Sequence, residues 1–260
     1  YPLFKDCLIR YRDEITIHKR SKDMENKLIK YLLKEPFVNL KLNMITSSII
    51  AQYRDRALKY LQPSSVKRRL AIISHLFSIA RKEWGFKIDN PVLDIRKPKL
   101  PEPRDRRFTD KELKLLIYGN KTSEKLRSII KIALETGMRV GEILRIKKEH
   151  INGQTLHIPL TKTKPRTIPL SKRALEILNN TKMPFTMSAM AVSKQFNKLC
   201  KFYKIQDGRF HDLRRQALTN FMIEKKLSVA EVMLISGHTD PRTLLNIYNN
   251  TKINDLIKKL

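Results

Sequence analysis

Phe210-His211-Asp212-Leu213-Arg214-Arg215 opens the stretch that decides how this chain reads, and Ser236-Gly237-His238-Thr239-Asp240 followed by Ile247-Tyr248-Asn249 closes it. His211 and Arg214 lie three apart, so on a helix they share one face and reach one ligand together. The pattern predicts a helix from His211 to Lys226, with Leu213, Leu218, Phe221 and Met222 turned inward. Ser228-Val229-Ala230-Glu231 is a capping box, and an apolar helix follows it to Ser236. A second histidine then sits in a Gly-His turn, and Tyr248 falls on a short final helix. Two imidazoles, a guanidinium and a phenol suit phosphoryl transfer. They supply donors for non-bridging oxygens, groups that move protons, and a hydroxyl nucleophile.

Charge names the partner class. The chain has 260 residues and a formal net charge of +29, from 54 Lys+Arg against 25 Asp+Glu. Residues 1–100 hold 22 basic and 10 acidic side chains and residues 101–260 hold 32 and 15, excesses of +12 and +17. Both halves are therefore cationic, and the polyanion that answers such a charge is by default nucleic acid. A membrane surface is the competing polyanion, but the sequence has no 18-residue apolar run and no signal-peptide pattern. Cys7 and Cys200 stand alone, which argues for a reducing cytoplasm and against a zinc site or disulfide scaffold. With no His-Glu-x-x-His and no Gly-rich phosphate loop, neither metal nor cofactor is expected. The first residue is Tyr1 rather than Met, which leaves room for a preceding segment.

The amino-terminal part reads as four helices without strands. Residues 3–18 and 21–34 carry apolar positions at helical spacing (Leu3, Cys7, Leu8, Tyr11, Ile15; Leu28, Ile29, Leu32, Leu33), and Pro36 stops the second. Thr46 or Ser47 caps a third helix through Leu61, and Pro63-Ser64-Ser65 starts a fourth to about Trp84, with Ala71, Ile72, Leu76, Ile79 and Ala80 as its buried stripe. Lys67, Arg68 and Arg69 near its start are candidates for phosphate contact, or simply part of a solvated polar face. From residue 96 to 107 the chain becomes an extended basic linker. Pro98, Pro101 and Pro103 block regular structure there, and Arg96, Lys97, Lys99, Arg104, Arg106 and Arg107 repel one another away from DNA. Such a linker between two basic domains would let them close around a duplex.

Thr109-Asp110-Lys111-Glu112 is a capping box that starts the second domain, and a helix from about Ser123 to Thr136 ends at Gly137. Arg139 lies just past this glycine, with Glu142 one turn on, placed to hold the guanidinium. Asn152-Gly153 signals a hairpin. Around it, Ile151, then Thr155 to Leu160, then Arg166 to Leu170 make a small three-stranded antiparallel meander. The second hairpin tip carries both Lys162 and Lys164, either of which can reach into a phosphate site. Ser171 caps a helix to about Asn179, and residues 188–204 form another with Met190, Phe196, Leu199, Cys200 and Tyr203 on one stripe. Residues 253–260 space apolar side chains at i, i+3, i+4 and i+7, a tail too short to be stable unless packed on its own domain or a neighbouring protomer.

The ordered set Arg139, Lys162, His211-x-x-Arg214, His238 and Tyr248 resembles the tyrosine recombinase (phage-type integrase) family, and the likeness spans essentially the whole chain. The resemblance implies a mainly α protein. An all-helical core-binding, DNA-binding domain would cover 1–95 and a basic linker 96–107. A mostly helical catalytic domain with one small sheet would cover 108–252, and an amphipathic tail 253–260. It also implies that Tyr248 attacks the scissile phosphate to give a 3′-phosphotyrosyl link and a free 5′-hydroxyl. Arg139 and Arg214 would clamp the non-bridging oxygens, His238 would add a hydrogen bond, and His211 would act as base or donor. Lys162 would protonate the leaving 5′-oxygen, with Lys164 as its rival, and Glu142 would buttress Arg139. Lys67, Arg68, Arg69, Arg104, Arg106 and Lys164 would contact DNA. Tyr248 lies ten positions after His238, one more than the family pattern leads one to expect. One residue turns a helix by about 100°, so the extra residue is placed in the Asp240-Pro241-Arg242 turn.

The function implied is site-specific recombination of double-stranded DNA through a Holliday junction, by a homotetramer assembled on the DNA, with a directionality factor as a possible partner. The setting implied is the nucleoid of a prokaryote or a phage-infected cell. Two alternatives remain open at this level: a DNA-binding accessory protein that kept the fold without catalysis, and a relaxing topoisomerase with the same nucleophile.

Overall fold

The computed structural model describes residues 1–102, 104–159 and 164–249, and of residues 246–249 the backbone only. The chain divides into two units, Tyr1–Pro103 and Arg104–Leu260. In the first, four helices follow the periodicity of their apolar residues: α1 (Phe4–Glu14), α2 (Lys22–Leu32), α3 (Ser47–Leu58) and α4 (Pro63–Lys82). The Thr46 hydroxyl accepts from the Ile49 amide and caps α3, while Pro63 starts α4 at a position whose N–H would be unpaired in any case. Phe4, Leu8, Tyr11, Ile29, Leu32, Ile50, Tyr53, Ile73, Leu76 and Phe77 are fully enclosed in the core these helices share.

The register of α4 corrects the reading of its faces. Val66, Arg69, Leu70, Ile73, Leu76, Phe77 and Ala80 are buried, at spacings of three and four, whereas Ala71 is exposed. Arg69 therefore sits on the buried stripe, with its guanidinium 5.0 Å from the Tyr31 ring centre. It cannot be the phosphate contact that the Lys67-Arg68-Arg69 run suggested. Lys67 and Arg68 are exposed.

The linker reading is corrected as well. Arg54 Nη1 donates to the Arg96 carbonyl at 2.8 Å, which holds residue 96 on the first unit. On the other side of the boundary, Arg104 donates to the Asp207 carboxylate (2.6 Å), the Asp207 carbonyl (2.6 Å) and Asp212 (2.9 Å). Arg106 donates to Glu112 (2.5 Å) and lies 5.0 Å from the Phe108 ring centre. Both guanidiniums, expected to contact DNA, are bonded to protein partners and anchor the start of the second unit. Asp207 and Asp212, the acidic residues that claim Arg104, are more than a hundred positions away in sequence.

The second unit runs α5 (Asp110–Tyr118), α6 (Glu124–Thr136), a single turn α7 (Val140–Ile143), β1 (Ile151–Asn152), β2 (Thr155–Ile158), β3 (Arg166–Pro169), α8 (Lys172–Asn179), α9 (Ala189–Phe202), α10 (Phe210–Ile223), α11 (Val229–Ser236) and α12 (Pro241–Asn249). The strands form an antiparallel meander in the order β1-β2-β3, with Leu156 opposite Ile168 and Ile158 opposite Arg166. Gly153 takes the left-handed backbone (φ +56°) that the tight Asn-Gly turn requires. Hydroxyls of Thr109, Ser123, Ser171, Ser188 and Ser228 accept from backbone amides at the starts of α5, α6, α8, α9 and α11. Met190, expected on the buried stripe of α9, is 81% exposed, because it lies in the first turn before the stripe begins at Val192.

The core of this unit joins α6, the sheet, α8, α9 and the start of α10. Phe196 is its centre, packed edge-on against Phe108 (6.0 Å) and Phe210 (5.5 Å). Cys200 lies in the same core, as Cys7 lies in the first, and burial pushes both thiols up to about 11. No helix among the described residues is long and apolar enough to cross a membrane. The hairpin tip with Lys162 and the tail 253–260 lie outside the described residues.

Truncating Phe196 removes two aromatic contacts and leaves a cavity. Phe196→Ala should lower the stability of this unit by about 3–5 kcal/mol, read as a fall in its urea midpoint.

Candidate active site

The left-handed cap at Gly137 (φ +62°) sets the geometry of the site, because it ends α6 and swings the chain into Met138 and Arg139. Its left-handed backbone favours glycine, and a Cβ here would press on Leu218 of α10 at 3.0 Å. The close approach brings the Gly137 carbonyl to Arg214, whose Nη1 donates to it at 2.6 Å. Arg214 Nη2 donates to the Ser236 carbonyl at 2.8 Å and stands 3.4 Å from His238 Nε2. The ends of α6 and α11 thus hold one buried guanidinium by two carbonyls. Burial, reinforced by the positive field of Arg139, pulls the Arg214 pKa below the usual guanidinium range, yet the group stays cationic at neutral pH.

Arg139 stands at the start of α7, where Glu142 closes back on it. The Glu142 carboxylate accepts from the Arg139 amide (3.0 Å) and from Arg139 Nη1 (3.0 Å). It also accepts both Nη1 (3.0 Å) and Nη2 (2.8 Å) of Arg166, a residue the sequence reading did not single out. Burial alone would raise the Glu142 pKa, but hydrogen bonds from Arg166 and Arg139 outweigh it and hold the carboxylate ionised below its ordinary range. Three guanidiniums stand in this cluster against one carboxylate, which bonds two of them, so the site keeps an excess of positive charge. Buried charge of that kind is costly until an anion arrives to balance it.

His238 follows Gly237, which has φ +70°, and its Nδ1 is 2.7 Å from the Ser236 hydroxyl. Burial first, then the fields of Arg214, Arg139 and Arg166, depress its pKa to about 4, so the ring is neutral at pH 7. His211 lies in the first turn of α10 with part of its ring open to solvent. The surrounding protein and then Arg214 lower its pKa, with Asp212 opposing them. Asp212 itself is turned to the helix start, where it accepts from the Arg209 amide (2.9 Å) and from Arg104 (2.9 Å).

The structure therefore brings two bonded pairs, Arg139 with Glu142 and Arg214 with His238, into one electrostatic cluster that also includes His211. Tyr248 lies on α12, which packs on α10 and α11; the direction of its side chain is outside the described residues. The helix begins at Pro241, directly after Asp240. Lys162 also lies outside the described residues, and Lys164 is exposed at the approach to β3. Of the residues that sequence reading missed, Arg166 was the accessible one. It is two positions from Ile168 and shares that residue's inward face by strand alternation.

The family model described as "Phage integrase family" matches residues 106–183 and 184–254. A shufflon-specific DNA recombinase of Escherichia coli is 34% identical, over 98% of this chain and 70% of its own length. The integrase of Escherichia phage P2 is 32% identical, over 75% of this chain and 58% of its own. Among solved structures, the Tn1549 transposon integrase with circular intermediate DNA superposes with a TM-score of 0.81, at 15% identity, over 100% of this chain and 99% of that one. A lambda integrase tetramer bound to a Holliday junction gives 0.79 at 22% identity, over 93% and 79%.

The depressed histidine pKa is open to direct measurement. In the free protein the His238 ring should titrate near pH 4 by NMR, and Arg139→Ala should move that midpoint upward by removing a repelling charge. Between the folded value and the unfolded one near 6.5 the unfolded chain binds more protons, so this residue makes stability rise with pH across that window and contributes no slope above it.

Proposed function

Because this chain belongs to the phage integrase family, we propose that it is a tyrosine-type site-specific DNA recombinase whose phosphate site is the Arg139–Glu142–Arg214–His238 cluster. The observation that carries the assignment of the site is the geometry of that cluster: two guanidiniums and an imidazole brought together, one guanidinium held by two carbonyls and the other by a carboxylate it shares with Arg166.

A scissile phosphodiester supplies the missing charge. Arg139 and Arg214 donate to its non-bridging oxygens, and as charge grows on them in the pentacoordinate state these bonds strengthen. His238, neutral and held at Nδ1 by the Ser236 hydroxyl, adds a further hydrogen bond to these oxygens. The phenolic oxygen of Tyr248 attacks phosphorus, loses its proton to His211 or to solvent, and forms the 3′-phosphotyrosyl bond as the bond to the 5′-oxygen breaks. Lys162 delivers a proton to that leaving oxygen, with Lys164 as the alternative donor from the same tip. The reverse reaction, with the 5′-hydroxyl of another strand as nucleophile, completes transfer. The phosphodiester bond energy is kept in the protein–DNA link, so the reaction requires no nucleotide cofactor.

Exchange between two duplexes calls for four such sites, and the lambda integrase tetramer on a Holliday junction shows a related fold so assembled. By that analogy this chain acts as a homotetramer on DNA, and exposed cations such as Lys67 and Arg68 supply sequence-independent grip. A match to a recombinase over 98% of the chain favours this reading over a silent accessory protein or a relaxing topoisomerase.

The test uses the DNA ends that become linked to the protein in cells, mapped by sequencing and rebuilt as a nicked duplex. Wild-type chain should form a denaturant-resistant adduct that Tyr248→Phe cannot form. Arg139→Ala and Arg214→Ala should each slow cleavage by at least about a hundredfold. They should leave DNA affinity largely intact, because affinity is spread over many phosphates. Loss of binding in step with cleavage would refute the site assignment.

A further inference from the structure

Arg166 does none of the work expected of a cation in a DNA-binding protein. Its side chain is only 9% exposed, and among the described residues its polar contacts are to Glu142 and the Ile235 carbonyl. Nη1 and Nη2 grip both oxygens of Glu142 at 3.0 and 2.8 Å, and Nε donates to the Ile235 carbonyl at 2.8 Å. Glu142 in turn holds Arg139 by its amide and by Nη1. On the other side, Arg166 lies directly beneath Gly237: a Cβ there would come within 3.0 Å of Nη1. The glycine is the turn that delivers His238. One planar group thus spans three elements, α7 with Arg139, the last turn of α11 with His238, and β3, the strand that returns from the lysine-bearing tip.

We propose that Arg166 is a positioning residue for the phosphate site, acting through Glu142 on Arg139 and through Ile235 and Gly237 on His238; the proposal rests on the recombinase reading given above. The guanidinium fork is what the geometry demands. A lysine would keep the charge, but it cannot hold both carboxylate oxygens and the Ile235 carbonyl with a fixed angle between them. Without the fork, the buried Glu142 is left with Arg139 as its one partner in the site, and the Arg139 guanidinium is drawn out of line with the phosphate. Misplacement of about 1 Å at a reacting centre costs up to about a hundredfold in rate while binding through distant contacts persists.

The experiment compares wild-type chain, Arg166→Lys and Gly237→Ala on the mapped nicked duplex. The scissile group is either an ordinary phosphate or a methylphosphonate, in which a methyl replaces one non-bridging oxygen and removes the charge. Gly237→Ala presses on the Arg166 guanidinium without removing it, so it carries the test should Arg166→Lys fail to fold by circular dichroism. On phosphate both variants should cleave about a hundredfold more slowly than wild type, with DNA affinity within about threefold. On methylphosphonate the gap to wild type should narrow to less than about tenfold, since a neutral centre depends far less on an aligned guanidinium. Arg166→Lys combined with Glu142→Gln should be no slower than the slower of the two single variants. Equal slowing on both substrates, cleavage at wild-type rate, or multiplying effects in the double variant would each overturn the positioning role. Should the wild-type chain form no Tyr248-dependent adduct, the recombinase reading fails first and this assignment with it.

Discussion

One carboxylate takes four hydrogen bonds in the interior of the second unit, and the arrangement of the site depends on it. Glu142 is 4% exposed, and a charge so placed is stable only while its partners stay in reach. Its partners come from three places: the backbone that follows Gly137, the Arg139 side chain, and the inward face of β3. The sharing is unequal, because one negative charge serves two guanidiniums directly, while a third, Arg214, is bonded to two carbonyls and keeps its charge. Low local polarity makes each of these bonds strong and makes the surplus positive charge expensive. An anion entering the cluster would settle that imbalance, so ligand binding here and the electrostatics of the fold are the same problem.

The scaffold around the carboxylate follows from ordinary packing. The aromatic trio Phe108, Phe196 and Phe210 ties the start of α10 to the start of the unit. Arg104 reinforces this by clasping Asp212, the residue that caps α10. With the helix entry fixed from two sides, His211 and Arg214 present a set face. The glycine at the end of α6 then lets that face approach the Arg139 turn to within van der Waals contact. The geometry of the Arg139–Glu142–Arg214–His238 cluster is thus inherited from residues that never approach it.

Much of this was legible in the amino-acid order, and the exceptions have a common cause. Helices were marked by hydroxyl caps and by Gly137 and Gly237, and the hairpin by Asn152-Gly153, all local signals. What could not be read locally was rotation and long-range pairing. In α4 the apolar positions leave a choice of register. The structure resolves it by burying Arg69 against Tyr31 and exposing Ala71, the opposite of the expectation for both. Met190 was misplaced for a similar reason, lying one turn ahead of the stripe it was assigned to. Arg104 reads as a free cation because the acids that claim it, Asp207 and Asp212, are more than a hundred positions away, whereas Arg106 pairs with Glu112, whose capping-box role hides that second bond. Arg166 was overlooked among a run of basic residues although its alternation with Ile168 pointed inward.

Both sulfhydryls sit in the two cores, 2% and 3% exposed, and burial holds them protonated to about pH 11. A thiol that is neither accessible nor ionised is a poor target for maleimides and other alkylating reagents. The wild-type chain is therefore already a silent background for labelling chemistry. A single cysteine placed on an exposed helix position would take a fluorophore or spin label selectively, with no need to disturb the native pair.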